Sequence, residues 1–414
     1  MWVLATGAVA QTPAPTPLPF ETRLARATTS LLVGPAGFSG GGAPALVDAI
    51  AASQYVLIGE SHMSREIPAF TTQICRLMAP SGLTAMAVET GPEAAHVVES
   101  AMRSDDPTAS IDAFMRAHPS GLAFFNGRDE VQMAADCAAA AGPDFALWGL
   151  DQEFLGSSGY LLAEMLAANP GPVSRSALSE LAELDRAATA AAVASGSPFD
   201  LFIITASPET LERAAAAVAT DGGDRVRYLF GLLTETHAIY AASRSRQGDP
   251  NGRRARLMKR TLAAHLTENP EARVLLKFGA WHFYKSLNPL DQRDLGAWVA
   301  ERADGEGVTA LHIMVAGASG SQAVFGGVAR PVRVSAFDVM DEEAADWTKD
   351  VVLSRPEGTP PEAWTLIDLR ALRANGLTNA PEHWRQLALG YDLAILAPTL
   401  SASSVLGVES ETRP

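Results

Sequence analysis

Six short apolar runs mark the chain, at 55–58 (YVLI), 85–88 (AMAV), 145–150 (FALWGL), 273–278 (RVLLKF), 311–315 (LHIMV) and 393–396 (LAIL). None alternates apolar with polar residues, so each predicts a strand covered on both faces. Helical patterns lie between them, at 68–78, 92–102 and 130–141. Strand and helix in repetition predict an α/β fold, a mainly parallel sheet with helices on both faces.

The pattern changes near Tyr160. Leu178, Leu181 and Leu184 recur at helical spacing, Ser207-Pro208-Glu209 is a helix start with Pro at its first position, and Asp224 opens a helical run to about Ser245. No strand pattern occurs here, which predicts a helical insertion or lid over 160–250. Residues 247–253 (QGDPNGR) read as a loop, followed by a long helix to about Leu266. From Val328 the chain reads as mixed strands and loops. The resulting division is a leader and Pro-rich tail over 1–20, the first half of the core over 21–159, the insertion over 160–250, the second half over 251–400, and a tail over 401–414.

A chain of 414 residues that is 47% hydrophobic and 19% charged suits a globular protein with a sizeable core. Its net charge of −15 repels phosphate backbones and anionic lipid, which argues against nucleic-acid partners. No run after the N-terminus reaches the roughly 18 apolar residues of a spanning helix. The N-terminal WVLATGAVA ends in an Ala-x-Ala cleavage pattern, and TPAPTPLP follows. That predicts a truncated signal peptide and an exported, periplasmic protein, the alternative being a disordered cytoplasmic tail. Cys75 and Cys137 sit in apolar helical patterns and read first as buried free thiols, with a disulfide as the alternative.

Candidate chemistry concentrates at strand ends. YVLIGESH (55–62) and RVLLKFGAWH (273–282) share one design, an apolar strand followed by Gly-x-x-His. In an open α/β sheet ligands bind at the carboxyl ends of the strands, where a Gly predicts a tight turn and the following His reaches the rim. Two such histidines, His62 and His282, are a stronger signal than one. Glu89 ends the second strand, and its competing role is to favour the start of the next helix. Glu60 lies inside the first motif, Glu66 follows four residues after His62, and Asp151 follows the third strand. A carboxylate beside a neutral His fixes its tautomer and raises its basicity, which suits proton abstraction from water. The same His62, Glu89 and His282 could instead be three metal ligands with an open position. A strand-end loop side chain also predicts little loss of stability on His62→Ala.

Gly37-Phe38-Ser39-Gly40-Gly41 fits G-x-S-x-G, but its Gly-rich setting argues against a nucleophile elbow. No P-loop, HExxH or dinucleotide fingerprint is present. His96, His118, His237, His265, His312 and His383 show no ligand spacing and read as structural, with His237 the exception if its helix lines the cleft.

Together, Gly-Glu-Ser-His with Glu66, Glu89, WGLDQEF, Arg254-x-x-x-Met258, Gly-Ala-Trp-His and YDLAILAPTLSASS resemble the erythromycin esterase-like branch of the Tiki/TraB/ChaN superfamily, over about residues 50–400. The resemblance implies a hydrolase that cleaves an ester or lactone of a small molecule without a cofactor. His62 would activate water, Glu60 and Glu89 would orient it, His282 would be a second catalytic histidine, and Arg254 would bind or stabilise charge. The superfamily also implies two alternatives, a metal-dependent hydrolase or peptidase of Tiki/TraB type and a haem-binding ChaN-like protein of iron uptake. Esterase members usually carry one more residue between Gly-Glu and His, and Gly after it. Here Met63 follows His62, a spacing nearer the ChaN and Tiki pattern, which argues against a macrolide substrate.

Overall fold

The computed structural model describes residues 18–344, 346–374 and 376–408. The expected signal peptide and the end of the C-terminal tail lie outside the described residues.

Among the described residues eleven strands form: β1 (Thr28–Gly34), β2 (Gly37–Ser39), β3 (Tyr55–Glu60), β4 (Leu83–Val88), β5 (Ala146–Gly149), β6 (Arg273–Gly279), β7 (Ala310–Gly317), β8 (Ser319–Val324), β9 (Arg333–Asp338), β10 (Trp364–Asp368) and β11 (Leu393–Ala397). Nine make one sheet in the order β2-β1-β10-β11-β7-β3-β6-β4-β5, and β8 and β9 pair as a separate hairpin. The run from β11 to β5 is parallel throughout. It contains the six strands expected from the apolar runs. The three additions at one edge, β10, β1 and β2, are antiparallel. The α/β architecture with a mainly parallel sheet is therefore present.

Period-two side-chain alternation explains why these strands show no polar positions. Val56 and Ile58 pack with Met86, Leu275 and the helices Glu66–Met78 and Arg128–Ala141 on one face. Tyr55 and Leu57 pack with Val274, Leu276, Phe278 and the helices Pro250–Glu268 and Leu295–Glu306 on the other. Each face buries its own layer, so both sets must be apolar.

Between β5 and β6 the chain is helical, with Ser158–Ala167, Pro172–Ser195, Pro208–Asp221 and Gly223–Ser245 packed around their own apolar cluster. Leu178 and Leu181 are buried there, whereas Leu184 is exposed. Ser207 accepts a hydrogen bond from the Thr210 amide and caps its helix. The expected loop at 247–253 is shorter than its composition suggests. Pro250 is already helical, because the Asp249 carboxylate accepts from the Gly252 amide as an N-cap.

The reading of Cys75 and Cys137 as free thiols is corrected, for the two form a disulfide. It ties helix Glu66–Met78 to helix Arg128–Ala141, and both residues are fully buried. Each lies on a buried helix face, so its apolar pattern alone does not distinguish a packed thiol from a bridged one. No helix among the described residues is long and apolar enough to cross a membrane.

Candidate active site

The two Gly-x-x-His segments are neighbours in space. β3 and β6 pair in parallel with Glu60 opposite Gly279, so both motifs end at the same rim. β4 and β5 continue that rim and present Glu89 and Asp151.

The glycines act differently from the expected tight turns. Neither Gly59 nor Gly279 has positive φ; the left-handed residue after His62 is Met63, at φ 67°. What both glycines provide is room. A Cβ on Gly59 would stand 3.0 Å from Ala280 Cα, and one on Gly279 would stand 2.8 Å from His62 Nε2. The strand ends approach their neighbours where any side chain would intrude.

His62, Glu89 and His282 come together as the sequence suggests. His62 Nδ1 lies 2.9 Å from Glu60 Oε1, and Nε2 lies 3.1 Å from Glu89 Oε2. The imidazole stacks on Phe124 with ring centroids 3.7 Å apart. Glu89 Oε2 also accepts from the Gly279 amide at 2.6 Å, while Oε1 accepts from Arg254 Nη2 at 2.6 Å and lies 3.3 Å from His282 Nε2. Glu89 is thus not a helix cap. That role belongs to Glu153, which accepts from the Glu93 amide at 2.8 Å and the Ala94 amide at 3.3 Å, and from Tyr160 Oη.

Arg254 reaches in from helix Pro250–Glu268. Its Nε donates to both Asp151 oxygens at 2.9 Å, and Nη2 also bonds Asp151. Asp151 therefore acts on Arg254 rather than on a histidine. Glu66 is a correction. Its Oε2 accepts from the Ser401 amide at 2.8 Å and anchors the chain after β11, while both His62 nitrogens face Glu60 and Glu89.

Burial by itself would favour neutral histidines here. The Glu89 and Glu60 carboxylates outweigh it at His62, which is pushed up to about 9. Glu89 and Asp294 do the same at His282, which is pushed up to about 10. Burial likewise opposes the charge on Glu89, but His282, His62 and Arg254 hold it well below the usual carboxylate range. At neutral pH the site is an alternating lattice of cations and carboxylates.

Sequence reasoning missed several members. Asp294 Oδ2 lies 2.8 Å from His282 Nδ1, and its Oδ1 accepts from the Leu295 amide. Lys277 and Glu130 lie beneath Glu60, and Phe124 covers His62. Lys277 left a signal, a lysine within an apolar strand; Asp294 left none beyond preceding a helix. Five of the other six histidines have partners elsewhere: His312 bonds the Phe283 carbonyl, His237 bonds the Ile203 carbonyl, His383 bonds Asp350, His265 stacks on Trp148, and His118 packs against Phe114 and Tyr160. Gly37–Ser39, the centre of the G-x-S-x-G match, is an edge strand.

The three expected metal ligands do not form a coordination shell. The histidine nitrogens meet different oxygens of Glu89, and Arg254 Nη1 lies 3.3 Å from His282 Nε2, putting a fixed positive charge where a cation would bind. Among the described residues no group of three His, Cys, Asp or Glu side chains is arranged to hold a metal ion.

Beside this lattice is a cavity of about 310 Å³, lined by Glu89, Phe124, Asp151, Tyr240, Asn251 and Arg254 among others. Tyr240 and Asn251 come from the helical block and the helix after it, so those helices wall the cavity.

No protein-family model and no curated protein matches the chain by sequence. Solved structures match it by fold. A histidine-to-asparagine mutant of the erythromycin esterase EreC in its open conformation is 13% identical, with TM-score 0.63 over 92% of this chain and 99% of that chain. A protein of Bacillus cereus is 14% identical, with TM-score 0.61 over 94% and 100%. A succinoglycan biosynthesis protein is 13% identical, with TM-score 0.58 over 93% and 97%. At such identities the likeness is one of fold. The chain has the fold of an erythromycin esterase, and nothing about the Tiki or ChaN side of the superfamily follows from that.

Proposed function

We propose that the protein is a hydrolase that cleaves an ester or lactone of a small molecule, with His62 as the base that activates water. The observation that carries this reading is the placement of His62 between two carboxylates, Glu60 at Nδ1 and Glu89 at Nε2, with its neighbours Glu89 and Phe124 lining the cavity. With Nδ1–H donated to Glu60, neutral His62 carries its lone pair on Nε2, the nitrogen 3.1 Å from Glu89 Oε2, and takes a proton there. Nε2 takes that proton from water as the water oxygen bonds to the substrate carbonyl carbon and the carbonyl electron pair moves to oxygen. The tetrahedral intermediate then expels the alkoxide, which takes the proton from His62, leaving an acid and an alcohol. Arg254 and protonated His282, on the far side of Glu89, are the cations available to the developing oxyanion.

The cavity supports a small substrate. Its 310 Å³ is at the lower end of the roughly 300–1,000 Å³ typical of small-molecule pockets. The buried disulfide supports an oxidising compartment, in keeping with export. The test is a screen of purified protein against model esters, lactones and peptides, with and without chelator, with His62→Ala as control. The expected result is turnover of an ester or lactone that chelator leaves intact and His62→Ala abolishes. Peptide cleavage lost on chelation would favour a metal-dependent enzyme, and a Soret band on haem titration would favour a haem-binding protein.

A further inference from the structure

Below the rim a second group of charges is buried. Lys277 is on β6, opposite Ile58 of β3 and Val88 of β4. By strand alternation it shares the face of Leu275, against helix Arg128–Ala141. Its side chain is 4% exposed and its recorded bonds go to two carboxylates: Glu60 Oε1, and both Glu130 oxygens at 2.8 and 3.0 Å. Glu60 Oε1 is also the atom that meets His62 Nδ1, whereas Glu60 Oε2 is buried with no partner among the described residues. A carboxylate that doubles its bonds on one oxygen and leaves the other unmet is poorly arranged for stability, yet it is aimed at the imidazole.

We propose that Lys277 and Glu130 are positioning residues of this site: Lys277 holds Glu60 as a carboxylate against His62 Nδ1, and Glu130 holds Lys277 and sets the charge it presents. The inference rests on the assignment of His62 as the base. A buried carboxylate with no cation takes a proton, and a protonated Glu60 cannot accept from Nδ1–H. Lys277 prevents that. Glu130 then balances Lys277, whose positive charge otherwise acts on His62 across the Glu60 oxygen that both contact. Burial and the neighbouring Glu60 push Glu130 up against the pull of Lys277, to about 7, so it is ionised over the range in which His62 titrates. The charged groups facing His62 are Glu60 on β3 and Glu89 after β4; those facing Glu130 are Lys277 on β6 and Glu60.

The test follows the His62 ring by NMR titration of selectively labelled protein, with turnover against pH measured in parallel. Glu130→Gln keeps the hydrogen bond but unbalances Lys277. The expected result is a fall of the His62 pKa by about half a unit, equal to about a threefold gain in neutral imidazole at pH 7. Lys277→Met leaves two buried carboxylates without their cation, and turnover should fall by on the order of 10² as Nδ1 loses its acceptor. Lys277→Met/Glu130→Gln removes one charge of each sign but still leaves Glu60 without Lys277, so turnover should stay as low as in Lys277→Met. A His62 titration unmoved in Glu130→Gln, or near-full turnover in the double variant, overturns the proposal. The titration is read whether or not a substrate is found, so an inactive protein with a shifted His62 tells against the hydrolase reading alone. Turnover with an unshifted His62 tells against the positioning role alone. If Lys277→Met fails to fold, the other two variants still decide.

Discussion

Gly279 lies so close to His62 that a Cβ at position 279 would stand 2.8 Å from Nε2, closer than real Cβ contacts come. The strand carrying His282 therefore fixes where the other histidine can sit. Gly279→Ala should displace the imidazole or Glu89, whose Oε2 would lie 3.2 Å from the new methyl. A displacement of about 1 Å can cost roughly 10² in rate. Turnover should fall by that order while thermal melting shifts by only a few degrees. Full activity in Gly279→Ala would show that the close approach does not constrain the site.

His62→Ala should abolish turnover by 10² or more, the usual size of a lost general base. Its effect on stability departs from the near-neutral outcome expected of an exposed loop residue. His62 stacks on Phe124 and lies between two buried carboxylates. Lys277 and Arg254 remain to partner those carboxylates, which limits the loss to about 1–3 kcal/mol, the typical cost of unmet buried polar groups. Chemical denaturation would read it, and an unchanged midpoint would count against the buried charge lattice.

The two histidine pKa values set the pH dependence. His62 must be neutral to accept a proton, so kcat/KM should rise with pH through about 9. His282 contributes as a cation, so activity should fall again through about 10. The narrow alkaline optimum should disappear in His282→Gln, leaving the ascending limb alone. The same shifts affect stability. Both histidines titrate higher in the folded protein than the usual 6.5, so their contribution is complete below 6.5 and is lost as pH rises through 9 and 10. Glu89 has the opposite sign. Its folded value lies below 4.5, so its contribution is present above 4.5 and is lost in acid. A melting temperature that climbs between pH 7 and 10 would contradict this assignment.

The Cys75–Cys137 bond closes a loop of 62 residues, for which chain entropy predicts about 4 kcal/mol of stabilisation. Both cysteines are fully buried, so reductant should act only after unfolding. Cys75→Ala/Cys137→Ala should lower the denaturation midpoint markedly. Brief dithiothreitol treatment of the folded protein should leave its melting unchanged. Rapid reduction in the native state would mean that the helix pair opens locally.

The amino-acid sequence by itself determined the six buried parallel strands, because a strand covered on both faces cannot carry solvated side chains and so reads as an unbroken apolar run. It also determined His62, Glu89, His282 and Asp151 as rim residues, since the carboxyl end of such a strand is where polar side chains resume. It was silent on the edge. β1 buries only Leu31 among its seven residues, and β2 none, so neither leaves an apolar run. Only the tertiary structure decided which strands are neighbours. Parallel pairing of β3 with β6, more than 200 residues apart, follows from helix packing over the whole sheet. It makes Gly279 a spacer for His62 and brings Lys277 beneath Glu60. The same holds for Asp294, Glu130 and the disulfide. Each depends on a side chain meeting a partner from another element, and local spacing carries no record of such a meeting because it is fixed by how the helices and strands pack.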